Sequence, residues 1–172
     1  MVIKLVGSAM VITATTVLGI VFARFKTDRV RQLRCLISAL NIFETEVKFS
    51  LSMLPDAFIK ISRSIDEKVG EIFSYTAQQI SQYRISASDA WTTALNRVKP
   101  NLCIVKEDTE ILLSLGSSLG EMDAENQIKS VRLVIEQLKH QELKAEEDRA
   151  KGERLFRSLG VLSGLAIVII LF

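Results

Sequence analysis

What most limits the fold of this chain lies at its two ends. From Leu5 to Ala23 no charged residue occurs in nineteen positions, and from Leu159 to Phe172 none in fourteen. A run without charge and without a polar face cannot lie on a water-exposed surface, so each run has to enter lipid or be wrapped by protein. At ~1.5 Å of rise per residue the first run nearly crosses a ~30 Å hydrocarbon core. The second spans only marginally, more fully if Leu155 and Phe156 enter with Arg157 snorkelling. The expectation is an N-terminal transmembrane helix over 3–24 and, over 151–172, a basic juxtamembrane segment leading into a C-terminal transmembrane helix. A cleaved signal peptide is the competing account of the first run. Only Lys4 precedes that run, however, the cations follow it, and no small-x-small cleavage site stands at its exit. Gly160 and Gly164 have the small-x-x-x-small spacing that permits close helix contact, a spacing common in membrane helices by chance.

The flanking charges set an orientation. Arg24, Lys26, Arg29, Arg31 and Arg34 follow the first run, and Arg149, Lys151, Arg154 and Arg157 precede the second. Both sets lie on the central side, which places the central segment in the cytoplasm and both termini on the far side. These cations are read as membrane flanks.

The central segment, 27–150, has helical periodicity throughout and no sustained alternation that would propose a strand. Asp28 is expected to cap a helix whose inward stripe is Leu33, Leu36, Ile37, Leu40, Phe43 and Val47. Pro55 opens a second helix with Phe58, Ile61 and Ile65 inward. A third carries Val69, Ile72, Phe73, Ala77 and Ile80. Ser86 or Ser88 caps a fourth, with Ala90, Trp91, Ala94, Leu95 and Val98, and Pro100 stops it. A fifth begins near Val105 with Ile111, Leu112 and Leu115 inward and ends in the Gly116–Gly120 region. The sixth starts near Ala124, presents Ile128, Val131, Ile135 and Leu138, and continues into the terminal run. The fold class is all-α, a six-helix bundle flanked by N- and C-terminal transmembrane helices.

The residues give little support for catalysis. His140 is the sole histidine and stands far in sequence from Cys35 and Cys103, so no His/Cys metal set is available. The two cysteines fit reduced core residues of a cytoplasmic domain better than a disulfide. No Gly-rich phosphate loop with a following Lys-Ser/Thr occurs. Twenty-two Lys/Arg against twenty Asp/Glu leave a net charge of +2, which makes no case for nucleic acid. Neither a cofactor nor a metal nor a catalytic residue is expected.

Carboxylates gather around the turn between the fifth and sixth helices: Glu107, Asp108, Glu110, Glu121, Asp123 and Glu125. One account is a solvated rim with helix caps, in which Asp123 caps the last helix and Gln127 follows one turn on. The other is an acidic patch docking a basic surface of a cytoplasmic partner, with Asp108, Glu110, Glu121, Asp123 and Gln127 as the contact residues. The segment 139–153 reads as a solvated helix with pairs such as Glu147 and Lys151. Gly152 interrupts it and is a candidate hinge, since a mid-helix Gly costs ~1 kcal/mol relative to Ala.

Several short motifs carry a family resemblance. Leu115-Gly-Ser-Ser-Leu-Gly-Glu-Met-Asp123, then Asn126-Gln127-Ile-Lys129, then Arg157-Ser-Leu-Gly-Val-Leu-Ser-Gly-Leu resemble the stage III sporulation protein AB family of endospore-forming bacteria. Arg31-Gln-Leu-Arg34, Leu54-Pro55 and Ala90-Trp91 fit the same pattern, which spans essentially the whole chain. Met53-Leu54-Pro55-Asp56 departs from it, where a small residue, Pro and Leu are expected in succession. The resemblance implies likeness to the inner-membrane platform proteins of type II secretion and type IV pilus systems, whose cytoplasmic domains are small six-helix bundles. It implies a non-enzymatic part of the channel linking mother cell and forespore, in the mother-cell-derived membrane around the forespore. The implied partners are a cytoplasmic secretion-type ATPase, other membrane proteins of the channel and the lipid bilayer. A self-associating membrane-tethered scaffold, a homo-oligomer without a motor partner, is the alternative.

Overall fold

The computed structural model describes the backbone of residues 2–49, 53–120 and 123–171, and side chains only within 20–152, Phe22 excepted. Six α-helices and one 3-10 turn make up the described chain: α1 (Val2–Phe49), α2 (Leu54–Ser64), α3 (Glu67–Tyr83), α4 (Ala87–Val98), the turn Lys99–Asn101, α5 (Lys106–Gly116) and α6 (Ala124–Leu171). Among the described residues there is no strand, and the fold is all-α. No helix among them is long and apolar enough to cross a membrane. Apart from Ile20, Val21 and Ala23, the two terminal runs on which the transmembrane expectations rest lie outside the residues whose side chains are described.

One expected boundary is corrected. Asp28 does not start a helix; α1 runs through it. Neither Gly nor Pro occurs from Ile20 to Phe49, so nothing in that stretch interrupts the i→i−4 ladder. Thr27 Oγ1 donates back to the Ala23 carbonyl at 3.0 Å, satisfying its hydroxyl within the helix. The other starts follow local chemistry. Pro55 sits in the first turn of α2, where a missing N–H costs nothing. Asp66 caps α3 by accepting from Lys68 N at 3.2 Å, and Ser86 caps α4 by accepting from Asp89 N at 3.0 Å. Arg84 ends α3 in the left-handed region, φ 52°.

The chain divides into two compact units. One comprises Met1–Asp28 with Lys144–Phe172, the other Arg29–Leu143. In the first, Lys26 Nζ donates to the Asp148 carbonyl at 3.1 Å, and Glu146–Arg149 (2.5 Å) and Glu147–Lys151 (3.6 Å) pair along α6.

The second unit is an antiparallel bundle. Within it α1 and α6 run in opposite directions, tied by Arg34–Glu142 and Arg132–Glu44, each at 2.7 Å. Going outward from Arg29, α1 leads to a turn at one end, α2 returns, α3 goes out again, α4 returns, and α5 goes out to meet the start of α6. The α1–α2, α3–α4 and α5–α6 turns therefore share one end, the loop end. Residues 29 and 143 lie at the other.

The inward stripes meet in an aromatic layer. Phe58 of α2 lies 5.2 Å, centroid to centroid, from Phe43 of α1, 5.8 Å from Phe73 of α3 and 6.1 Å from Trp91 of α4; Phe73 and Trp91 are edge to face at 5.4 Å. All four are fully buried, with Leu33, Leu36, Leu40, Ile61, Ile72, Leu95, Leu112 and Leu115. The expected inward residues Ile37, Val47, Ile65, Ile80, Ile111 and Ile128 are half-buried, because they stand at the edges of stripes wider than the contact with a neighbouring helix. Trp91 Nε1 donates to the Leu112 carbonyl at 2.7 Å, which joins α4 to α5 inside the core.

Trp91→Phe keeps most of the apolar volume but leaves that carbonyl without its indole donor. It should cost about 1–3 kcal/mol, read as a lowered midpoint in urea with an unchanged m-value.

Candidate interaction surface at the α5–α6 turn

The acidic candidates separate once their burial is known. Asp108 is fully buried, and its carboxylate meets the Arg29 guanidinium in two hydrogen bonds of 2.9 Å each, Nε to Oδ2 and Nη2 to Oδ1. Oδ2 also accepts the Val105 N–H at 3.0 Å, closing the start of α5. Arg29 Nη2 reaches Gln141 Oε1 at 3.4 Å. Two expectations are thereby corrected: Asp108 offers no carboxylate to a partner, and Arg29, only 11% exposed at its side chain, is an interior cation of the bundle, its charge answered by Asp108 and not presented as a membrane flank. Both charges have been taken from water, and the two-pronged geometry satisfies them. The sequence held a signal for this, since Arg29 stands four residues before Leu33, on the inward stripe of α1.

Gln127 is also buried, one turn into α6. Asp123 is exposed and caps α6, its Oδ1 accepting from Asn126 N at 3.3 Å. Glu110 is exposed and stands 3.6 Å from Lys106. It stands six residues before Gly116, about 9 Å along α5 from the turn. Glu121 lies outside the described residues. Of the flanking cations, Arg24 and Arg31 are exposed and Lys26 is half-buried, while Arg154 and Arg157 lie outside the described side chains. Gly152 is inside α6; a Cβ there would meet Lys26 Nζ at 3.5 Å, an ordinary contact.

The turn itself is shaped by two glycines. A Cβ on Gly116 would come within 3.0 Å of Trp91 Cδ1, so α5 approaches α4 through this position. Gly120, at φ +81°, takes a conformation that L side chains rarely adopt. Sequence reasoning passed over Gln32, which is buried on α1 and accepts from Cys103 N at 2.6 Å, fixing the segment before α5. A polar residue beside Leu33 was the only available sign.

Cys35 and Cys103 form no disulfide and are half-buried. Burial is the main influence pushing the Cys35 thiol up; the Asp66 backbone and the Arg31 cation oppose it, and the Asp66 carboxylate adds to it. Among the described residues no group of three His, Cys, Asp or Glu side chains could hold a metal ion.

A model of the stage III sporulation protein AB family matches residues 4–172. The chain belongs to the stage III sporulation protein AB family. It is 33% identical over 169 residues to the stage III sporulation protein AB of Bacillus subtilis (strain 168), covering 98% of this chain and 99% of that relative. A solved stage III sporulation protein AB structure superposes with a TM-score of 0.69 at 30% identity, covering 72% of this chain and 98% of that one. The fold expected from the family resemblance is thus the observed one for the helical body.

Removing either partner of the interior pair strands the other charge. Arg29→Ala or Asp108→Ala alone should each cost about 3–5 kcal/mol in chemical denaturation, with the double variant costing much less than the sum. Glu110→Ala should stay within about 0.5 kcal/mol of the parent. Because its thiol is pushed up, Cys35 should be alkylated by iodoacetamide at pH 8 more slowly than a cysteine in an unfolded peptide, and the difference should vanish in denaturant.

Proposed function

We propose that this chain is a structural, non-enzymatic platform of the mother cell–forespore channel required for endospore formation, anchored by its two terminal runs and docking a cytoplasmic secretion-type ATPase with its helical bundle. The observation that carries this reading is the family match over 4–172, which takes in both charge-free runs together with the bundle between them. The placement of Lys and Arg supports a cytoplasmic bundle, since both flanking sets lie on its side of the runs. The membrane concerned is then the mother-cell-derived one around the forespore, shared with the other membrane proteins of the channel.

The bundle suits a docking body. Its interior is filled by apolar and aromatic side chains, its buried charges answer one another, and Glu110 and Asp123 remain at the surface to attract a basic partner. In this reading α6 is the element that carries the partner's load. Replacing Gly152 by Ala places only an ordinary contact against Lys26, whereas Pro removes a helix hydrogen bond and clashes with the preceding turn. Gly152→Pro should abolish sporulation with membrane insertion and partner binding intact; unchanged spore counts would remove the load-bearing role of α6.

The decisive measurement is co-purification of the protein with the sporulation ATPase, for the parent and for Glu110→Lys with Asp123→Lys. The platform reading expects binding in the parent and at least about tenfold weaker binding after the reversal. Absence of any binding by the folded parent, together with self-association in sedimentation that the reversal disrupts, would make the chain a self-associating scaffold instead.

A further inference from the structure

The loop end of the bundle gathers side chains of the kind that protein partners grip. Among the described residues of the 29–143 unit, the large apolar or aromatic side chains left exposed are Phe49, Met53, Tyr83, Leu133 and Leu143. Three of these five belong to the α1–α2 and α3–α4 turns: Phe49 at 74%, Met53 at 76% and Tyr83 at 64% exposed. Single exposed apolar residues are ordinary surface and need no account. Three at one end, all of types enriched at the centres of protein contacts, do.

The charges around them narrow the occupant. Helices α2, α4 and α6 all begin at this end, and Asp56, Asp89 and Asp123 at their starts are exposed and have no ion-pair partner among the described residues. Asp89 accepts the Ser86 hydroxyl and Asp123 caps α6, and both residues are exposed to water. Of the two cations nearest in the chain, Lys48 lies over the Phe49 ring, 4.9 Å from its centroid, and Arg84 ends α3. The end is therefore apolar at its turns and acidic at its helix starts. It is also opposite residues 29 and 143, where the chain passes to its terminal segments.

We propose that Phe49, Met53 and Tyr83, rimmed by Asp56, Asp89 and Asp123, form the docking surface for a cytoplasmic protein whose matching patch is an apolar socket edged with Lys and Arg. This rests on the platform reading and extends the ATPase contact over the loop end, with Asp123 in its rim. A second copy fits less well, because a two-fold contact would set two surfaces with the same acidic excess against each other. An anionic lipid surface is repelled by the same three charges.

The test uses the full chain in detergent and the purified ATPase, with affinity measured at low and physiological salt. Phe49→Ser with Met53→Ser and Tyr83→Ser should weaken binding about tenfold or more, since these exposed side chains act as contact anchors. Asp56→Lys should weaken it in a salt-dependent way, and Glu71→Lys, exposed near the start of α3 and away from the loop end, should leave it unchanged. Far-ultraviolet circular dichroism and thermal unfolding check that the triple variant is folded. If it is not, Tyr83→Lys alone decides, and parental affinity in that variant overturns the proposal. Parental affinity in a folded triple variant overturns the loop-end surface and leaves the platform reading standing. No binding by the parent overturns both. An unchanged ATPase affinity with loss of self-association in sedimentation would assign the surface to a second copy and overturn the proposal as stated.

Discussion

The bundle depends on one ring, that of Phe58. It stacks on Phe43 and lies within 6.1 Å of both Phe73 and Trp91, so a single side chain of α2 meets α1, α3 and α4 at once. Aromatic pairs of this kind are worth about 0.5–1.5 kcal/mol each beyond the area they bury. Their geometry also fixes the rotation of each helix about its axis, because a ring packs edge or face and tolerates little between. Trp91 then passes the arrangement to α5 through its indole N–H. Five of the six helices are thus aligned by four rings and one hydrogen bond.

The polar interior does a different job at the other end. Arg29, Asp108 and Gln141 come from α1, α5 and α6, and Gln32 with the Cys103 amide adds the segment before α5. A hydrophobic layer would accept several rotations and registers of these helices, whereas a two-pronged guanidinium–carboxylate contact accepts one. Taking the charges from water offsets much of the attraction between them, so the pair contributes selection among packings more than net stability.

The helices were legible because their signals are local. Pro55, Ser86, Pro100 and the spacing of Leu33, Leu36, Leu40 and Phe43 report on neighbours within two turns, and the structure follows them. The start at Asp28 misled for the same reason: a capping residue type sits there, but no breaker precedes it, and an uninterrupted ladder outweighs an unused cap. The acidic candidates were harder. Asp108 and Glu110 are two residues apart and of the same chemical kind, yet one is interior and the other faces water. What separates them is Arg29, 79 residues away in sequence, and no local pattern carries a contact at that distance. Conversely, Asp123 was legible as a cap because its partner, the Asn126 amide, is three residues on.

The pairing of the first helix with the last has a consequence for how the molecule is made. Glu44 meets Arg132 across 88 residues and Arg34 meets Glu142 across 108, while α2, α3, α4 and α5 each pack on a sequence neighbour. Local contacts form quickly and distant ones wait on loop closure. As the chain leaves the ribosome, α2 to α5 can settle in order, but the face of α1 that belongs to α6 stays uncovered until almost the whole protein has been synthesised. An interrupted translation product would therefore display that face, the polypeptide's own mark that it is unfinished, for chaperones and proteases to read.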